Sequence, residues 1–246
     1  MAVARAADSD VVRVWFQDTT TLDTEATRAA ATALTAAERA RAARFHFERD
    51  RRDYTAAHAL VRRVLATLDG RPPASLPFGT GELGKPYLLA ADGTASRWAF
   101  SLSHADGMVA CAVAGRPVGI DVERLDHAAA VDTLATHVCS AAEIERLEGL
   151  EPARRRERFI ELWTLKEALL KAAGVGLSFP LDQIGFDIRP GDAIVLDAPA
   201  TVDSHAWAFT LFTPGPFHRL AVALRRQGSA AVSVRFTRVD HLTPLP

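Results

Sequence analysis

The chain has 246 residues, 48% of them hydrophobic, with 29 Lys plus Arg against 30 Asp plus Glu and a net charge of −1. That allows one large domain or two small ones with a substantial core, and the balanced, dispersed charge excludes the concentrated basic stripe of a nucleic-acid or membrane binder. No run reaches spanning length, Met1 to Asp10 carries Arg5, Asp8 and Asp10 where a signal peptide would be apolar, and Cys111 and Cys139 lack C-x-x-C spacing, so we expect a cytoplasmic protein with reduced thiols.

Residues 11–17 alternate apolar and polar side chains and predict a first strand; residues 23–34 predict an Ala-rich helix. Thr35-Ala-Ala-Glu38 is a capping box that opens a helix through Arg39, Arg41 and Arg44. From 48 to 68, apolar residues at Tyr54, Ala57, Leu60, Val61, Val64 and Leu65 recur with helical period, and Gly70 supplies the stop. The Pro/Gly-rich stretch 71–82 predicts a loop, and 84–89 a short strand. Strands at 98–102 and 108–113 are joined by Ser103-His104-Ala105-Asp106-Gly107, whose Asp-Gly is a hairpin signal.

The stretch Val118-Gly119-Ile120-Asp121-Val122-Glu123 follows. Carboxylates at i and i+2 of a strand share one face, which reads either as a divalent-metal clip or as a half-exposed strand. Gly119 thins the strand just before the acids, which suits a bound ligand or a second backbone coming close.

After Asp126 the pattern is helical around 128–138, and Ser140-Ala-Ala-Glu143 repeats the capping box for a short helix ending near Gly149. Pro152, at the N1 position, begins a helix to Ala173, stopped by Gly174. Strands are predicted at 183–188, 193–196, 207–212, 220–224 and 231–237. Both halves read as helices plus a meander of strands, which favours an α+β chain of two halves, 1–117 and 118–246, sharing an interface.

On the long helix Trp163, Lys166, Glu167, Leu170 and Lys171 fall at i, i+3, i+4, i+7 and i+8. Glu167 and Lys171 are also an ordinary helix-surface pair, worth about 0.2–0.5 kcal/mol. Only Lys85, Lys166 and Lys171 are lysines in a chain that otherwise uses arginine, which marks them as candidate point-charge phosphate binders. A hard metal such as Mg²⁺ takes one or two carboxylates plus substrate phosphates, and Asp121, Glu123 and Glu167 could supply the protein share.

Gly119-Ile-Asp-Val-Glu123 followed by Trp163-Thr-Leu-Lys166-Glu167-Ala-Leu-Leu-Lys171 resembles the paired signature of the 4′-phosphopantetheinyl transferases of the surfactin-synthetase-activating type, roughly G-[IV]-D-[IV]-E and W-[ST]-x-K-E-[SA]-x-x-K. The resemblance extends to Gly84-Lys85-Pro86, Ser101-Leu102-Ser103-His104 and Gly176 to Asp182, with chain length fitting the type built of two pseudo-symmetric halves. It implies largely antiparallel sheets, an active site at the interface of the halves, and a monomer. It also implies Mg²⁺ (or Mn²⁺) on Asp121, Glu123 and Glu167. Coenzyme A would be the substrate, its phosphates met by Lys85, Ser103, His104, Lys166 and Lys171. The resemblance also implies basic residues of the coenzyme A site before and within the helix that starts at Glu48; Glu38 stands where a relative has lysine, leaving Arg41 as the best match. Glu143 matches a further glutamate that orders water or the acceptor, and it also completes the Ser140 capping box. The implied reaction is transfer of 4′-phosphopantetheine to a serine of an apo acyl or peptidyl carrier protein, releasing adenosine 3′,5′-bisphosphate, with Glu167 or Glu143 as base and Lys171 on the leaving-group charge. A coenzyme A or carrier-protein binding module without turnover is the alternative; a Mg²⁺ phosphohydrolase without a protein acceptor is a third reading.

Overall fold

The computed structural model describes residues 11–127, 131–176, 179–191, 193–228 and 231–240. Strand β1 (Val11–Asp18) leads into α1 (Thr24–Ala30), whose first turn is capped by Asp23 Oδ1, 2.7 Å from Ala26 N. The predicted helix stops short: 31–33 tighten into a 3₁₀ turn before Leu34 turns extended. The Thr35–Glu38 box closes at the head of α2 (Ala36–Ala42), and α3 (Glu48–Asp69) ends at Gly70, held at φ 86°. The predicted loop contains a three-residue strand, β2 (Phe78–Thr80), paired with β3 (Pro86–Leu88). Strands β4 (Ala99–Ala105) and β5 (Met108–Ala114) run further than expected. Ser103 and His104 are therefore strand residues, and the turn shrinks to Asp106-Gly107 because Gly107, at φ 86°, can reverse the chain alone.

After β6 (Val118–Arg124) come α4 (Val131–Val138), α5 (Ala141–Glu148) and α6 (Pro152–Ala173). The expected helix residues 128–130, the Leu177-Ser178 pair of the downstream motif and the start, 1–10, lie outside the described residues. The chain closes with β7 (Gly185–Ile188), β8 (Ile194–Asp197), β9 (Trp207–Gly215), β10 (His218–Arg225) and β11 (Ser233–Arg238).

Two main sheets result, ordered β11-β1-β5-β4 and β6-β10-β9. Each half repeats one plan: a strand, short helices, a 22-residue helix and a hairpin whose second strand pairs antiparallel with the first. The repeat reaches a buried detail. At the same position of the two long helices, Arg62 and Lys166 each reach the capping-box glutamate of the preceding short helix, Glu38 and Glu143, both at 2.7 Å. Each also donates to nearby carbonyls: Arg62 to Pro73 and Leu76, Lys166 to Val138, Leu181 and Ile184. The expected division at 117/118 needs one amendment, since β11 returns from the second half to pair parallel with β1.

The inner faces of the two sheets share one core of Val12, Val14, Phe16, Val118, Ile120, Val122, Leu220 and Val222, while α3 and α6 cover the outer faces with their own clusters. Strand periodicity then decides the rest. With Val118, Ile120 and Val122 facing the shared core, Gly119, Asp121 and Glu123 must face α6. Among the described residues no helix is long and apolar enough to cross a membrane.

Candidate active site

At Gly119 the second backbone is α6 itself: an added Cβ would lie 1.9 Å from Ala168 O and 2.5 Å from Ala172 N. Only glycine admits that contact, and it sets the last turns of α6 directly over the acidic strand. Trp163, Glu167 and Lys171, spaced by four residues, form the stripe that meets the strand. Lys171 Nζ lies 2.6 Å from Asp121 Oδ1, so this lysine pairs with the strand acid, not with Glu167 as an exposed helix pair would. Trp163 Nε1 donates to Glu123 Oε1 at 3.1 Å.

The edge of the first sheet contributes from the other side. Strands β4 and β6 lie side by side, and two serine hydroxyls take the place of ladder bonds: Ser101 Oγ accepts from Ile120 N at 3.1 Å and Ser103 Oγ from Val122 N at 3.3 Å. Ser103 Oγ also donates to Asp121 Oδ1 at 2.8 Å. His104, the next strand residue, points to the opposite face and is exposed. Partial desolvation by neighbouring groups depresses its pKa, with Asp53 opposing and Lys171 adding to the shift.

A cavity of about 330 Å³ opens between the halves. Lys85, Phe100, Ser101 and Leu102 line it from one side and Glu167, Leu170, Lys171 and Gly174 from the other. The Lys85 ammonium caps the end of α6, donating to Lys171 O and Ala172 O and to Val118 O at 3.2 Å, and its burial brings its pKa down to about 8.

Electrostatically the site is short of positive charge. Burial raises the pKa of Asp121 against the pull of Lys171; burial and then Asp121 raise Glu123 to about 7 and Glu167 in the same direction. Two buried carboxylate oxygens, Asp121 Oδ2 and Glu167 Oε1, have no hydrogen-bond partner. Orphaned buried oxygens of this kind call for a proton or a cation. As the side chains stand, no three acidic, His or Cys groups among the described residues close on a metal position. The donor set still fits a hard divalent ion, since all its ligands are carboxylate oxygens and two are free.

The remaining expected residues lie elsewhere. Lys166 is 0% exposed and spends its ammonium on Glu143 and three carbonyls within the second half. Five residues turn a helix by about 140°, so Lys166 and Lys171 cannot share a face. Glu143, 1% exposed, is filled by Ser140 N at 2.8 Å, Phe186 N at 2.7 Å and Lys166. Neither lines the cavity, which corrects their placement beside the reacting groups. Arg41 does not line it either; it stacks its guanidinium over the Tyr54 ring at 5.6 Å. Glu38 is explained as the partner of Arg62, a structural acid. Ser101 and the apolar wall at Phe100, Leu102 and Leu170 received no role from the sequence. The signals for Ser101 were its place in the Ser101-Leu102-Ser103-His104 stretch of the resemblance and its period-two spacing from Ser103.

Two family models cover adjoining stretches: the 4′-phosphopantetheinyl transferase superfamily over residues 117–225 and the 4′-phosphopantetheinyl transferase N-terminal domain over 22–116. A 4′-phosphopantetheinyl transferase of Bacillus subtilis is 31% identical, over 72% of this chain and 75% of its own. The chain belongs to the 4′-phosphopantetheinyl transferases. HetI, a 4′-phosphopantetheinyl transferase of Nostoc sp. (strain PCC 7120), is 34% identical over 78% of this chain and 81% of its own; the transferase Sfp of Bacillus subtilis (strain 168) is 26% identical over 75% and 79%. In this phosphopantetheinyl transferase the acid strand and the helix stripe that meets it come from one half, the cavity's opposite wall from the other.

Proposed function

We propose that the protein transfers 4′-phosphopantetheine from coenzyme A to a serine of an apo acyl or peptidyl carrier protein, releasing adenosine 3′,5′-bisphosphate. The observation that carries this reading is the pair of orphaned oxygens on Asp121 and Glu167, set beside the Lys171 ammonium in a cleft between two halves. Such a site has a deficit of cations and room for a polyanion that brings one. Asp121, Glu123 and Glu167 would hold Mg²⁺ or Mn²⁺, which supplies charge neutralisation on a bound pyrophosphate.

The chain's own groups do the rest. The acceptor serine oxygen bonds to the β-phosphorus, the bridging P–O bond breaks, and the bisphosphate leaves with that electron pair. Lys171 faces the charge that builds on the leaving group, and Glu167 accepts the serine proton directly or through a water. The apolar wall at Phe100, Leu102 and Leu170 keeps water from the pantetheine side. Lys85 serves as a phosphate contact after leaving the carbonyls it now caps, and His104, exposed outside the cavity lining, as a second. Arg41 and Lys166 have no such position. Both halves lie in one chain, which supports action as a monomer, and the two cysteines are buried and free, as in a reducing cytoplasm.

The test is the intact mass of a panel of apo carrier proteins after incubation with the protein, coenzyme A and Mg²⁺. Addition of one phosphopantetheine is expected, lost on chelation and in Asp121→Ala. Transfer by Asp121→Ala in excess chelator would overturn the assignment; coenzyme A cleavage without modified acceptor would mark a hydrolase.

A further inference from the structure

We propose that Ser103 and Trp163 are positioning residues that each clamp one oxygen of an acidic-strand carboxylate and leave the other to bind a divalent cation. The proposal rests on the reading of Asp121 and Glu123 as cation ligands.

A serine hydroxyl has one donor and two acceptor sites. In Ser103 all three are spoken for: the hydroxyl hydrogen goes to Asp121 Oδ1 at 2.8 Å, while Val122 N and Lys171 Nζ donate to Oγ at 3.3 and 3.1 Å. No donor remains for a phosphate, and the side chain is 6% exposed. The hydroxyl therefore acts on Asp121. With Lys171 it fixes Oδ1 and leaves Oδ2 buried and unpartnered. The indole has a single donor, Nε1–H, and spends it on Glu123 Oε1. Trp163 packs against the core beneath α6, so its N–H is a rigid anchor for an otherwise flexible glutamate. Carboxylate ligands held this way lose less rotamer freedom when an ion arrives, and removing such a support typically weakens metal binding about 10–100-fold.

The experiment is a Mn²⁺ titration of the intact protein without coenzyme A, reading free Mn²⁺ by electron paramagnetic resonance, in wild type, Ser103→Ala, Ser103→Thr, Trp163→Phe and Asp121→Ala. We expect Ser103→Ala and Trp163→Phe to bind Mn²⁺ about 10-fold or more weakly with an unchanged melting profile. Ser103→Thr, which keeps the hydroxyl, should bind near wild-type affinity, and Ser103→Ala should have no further effect once Asp121 is Ala. Wild-type Mn²⁺ affinity in Ser103→Ala together with weakened coenzyme A binding would overturn the assignment and return Ser103 to the phosphates. Wild-type affinity in Trp163→Phe would remove Trp163. Equal Mn²⁺ binding by wild type and Asp121→Ala, or none by wild type, would instead sink the cation site itself, and the proposal with it.

Discussion

Burial raises the proton affinity of Asp121, Glu123 and Glu167 together, and the sign of the resulting pH dependence follows from linkage. Glu123 titrates at 4.5 as a free side chain and at about 7 in the fold. Between those values the folded protein holds more protons than the unfolded chain, so this contribution is fully present below the unfolded pKa and lost as pH rises through about 7. Glu38 works outside that window: burial would raise it, but His58, Arg62 and Thr35 hold it at about 2, so its contribution is lost only as pH falls toward that value. Metal-free protein should therefore lose thermal stability between pH 5 and 7.5, roughly the interval that Glu123 spans, and Glu123→Gln should flatten the slope. A slope identical to wild type would show that Glu123 titrates normally. Glu143 offers a second test at this scale. Replacing it by Gln leaves the Lys166 ammonium in the core without its counter-charge, and breaking a buried pair costs about 3–5 kcal/mol. Expected is a markedly lower melting temperature with transfer retained well below it; intact stability with lost turnover would restore Glu143 as the base.

The decisive contact between elements is the approach of α6 to β6 at Gly119. A methyl group there meets the α6 backbone at Ala168 and Ala172, which no rotamer change can relieve. Gly119→Ala should exceed the roughly 1–3 kcal/mol typical of over-packing and lift Lys171 and Glu167 away from Asp121. Denaturant titration and Mn²⁺ binding would both register it; a variant that keeps wild-type stability would mean that the helix can shift without cost. At this scale the sequence was most legible where an element carries its own ends. The capping boxes at Thr35 and Ser140 and the glycines at 70 and 174 bound their helices as expected. Strand β2 was missed because three residues with a glycine at their centre have no periodicity to read. The end of β4 was missed because Ser103 and His104 are paired there by the partner strand, not by their own propensity.

The two halves do not part cleanly. Strand β11 crosses back to pair with β1, and the shared core draws Val12, Val14 and Phe16 from one sheet and Ile120, Val122 and Leu220 from the other. A fragment of residues 1–117 would expose that inner face and lose a sheet neighbour. It should show no cooperative thermal transition alone and regain one when co-expressed with 118–246. A sharp transition for the isolated fragment would make the halves independent domains.

What the sequence by itself determined was local or periodic. The acids on one strand face, the Trp163–Glu167–Lys171 stripe and the glycine that invites a close backbone all follow from spacings of two or four residues and from caps, while the pseudo-symmetry of the halves came from the family resemblance. The tertiary structure decided which charge meets which. Lys166 and Lys171 look equivalent in the chain, yet one is consumed by Glu143 in the core and the other faces Asp121, because the packing of α6 puts one side against α5 and the other against β6. Ser103 could not be assigned to Asp121 until β4 was laid beside β6, and Lys85 could not be seen as the cap of α6. Those pairings join residues 18 and 86 positions apart, and burial, which sets their protonation, exists only once the two sheets have closed.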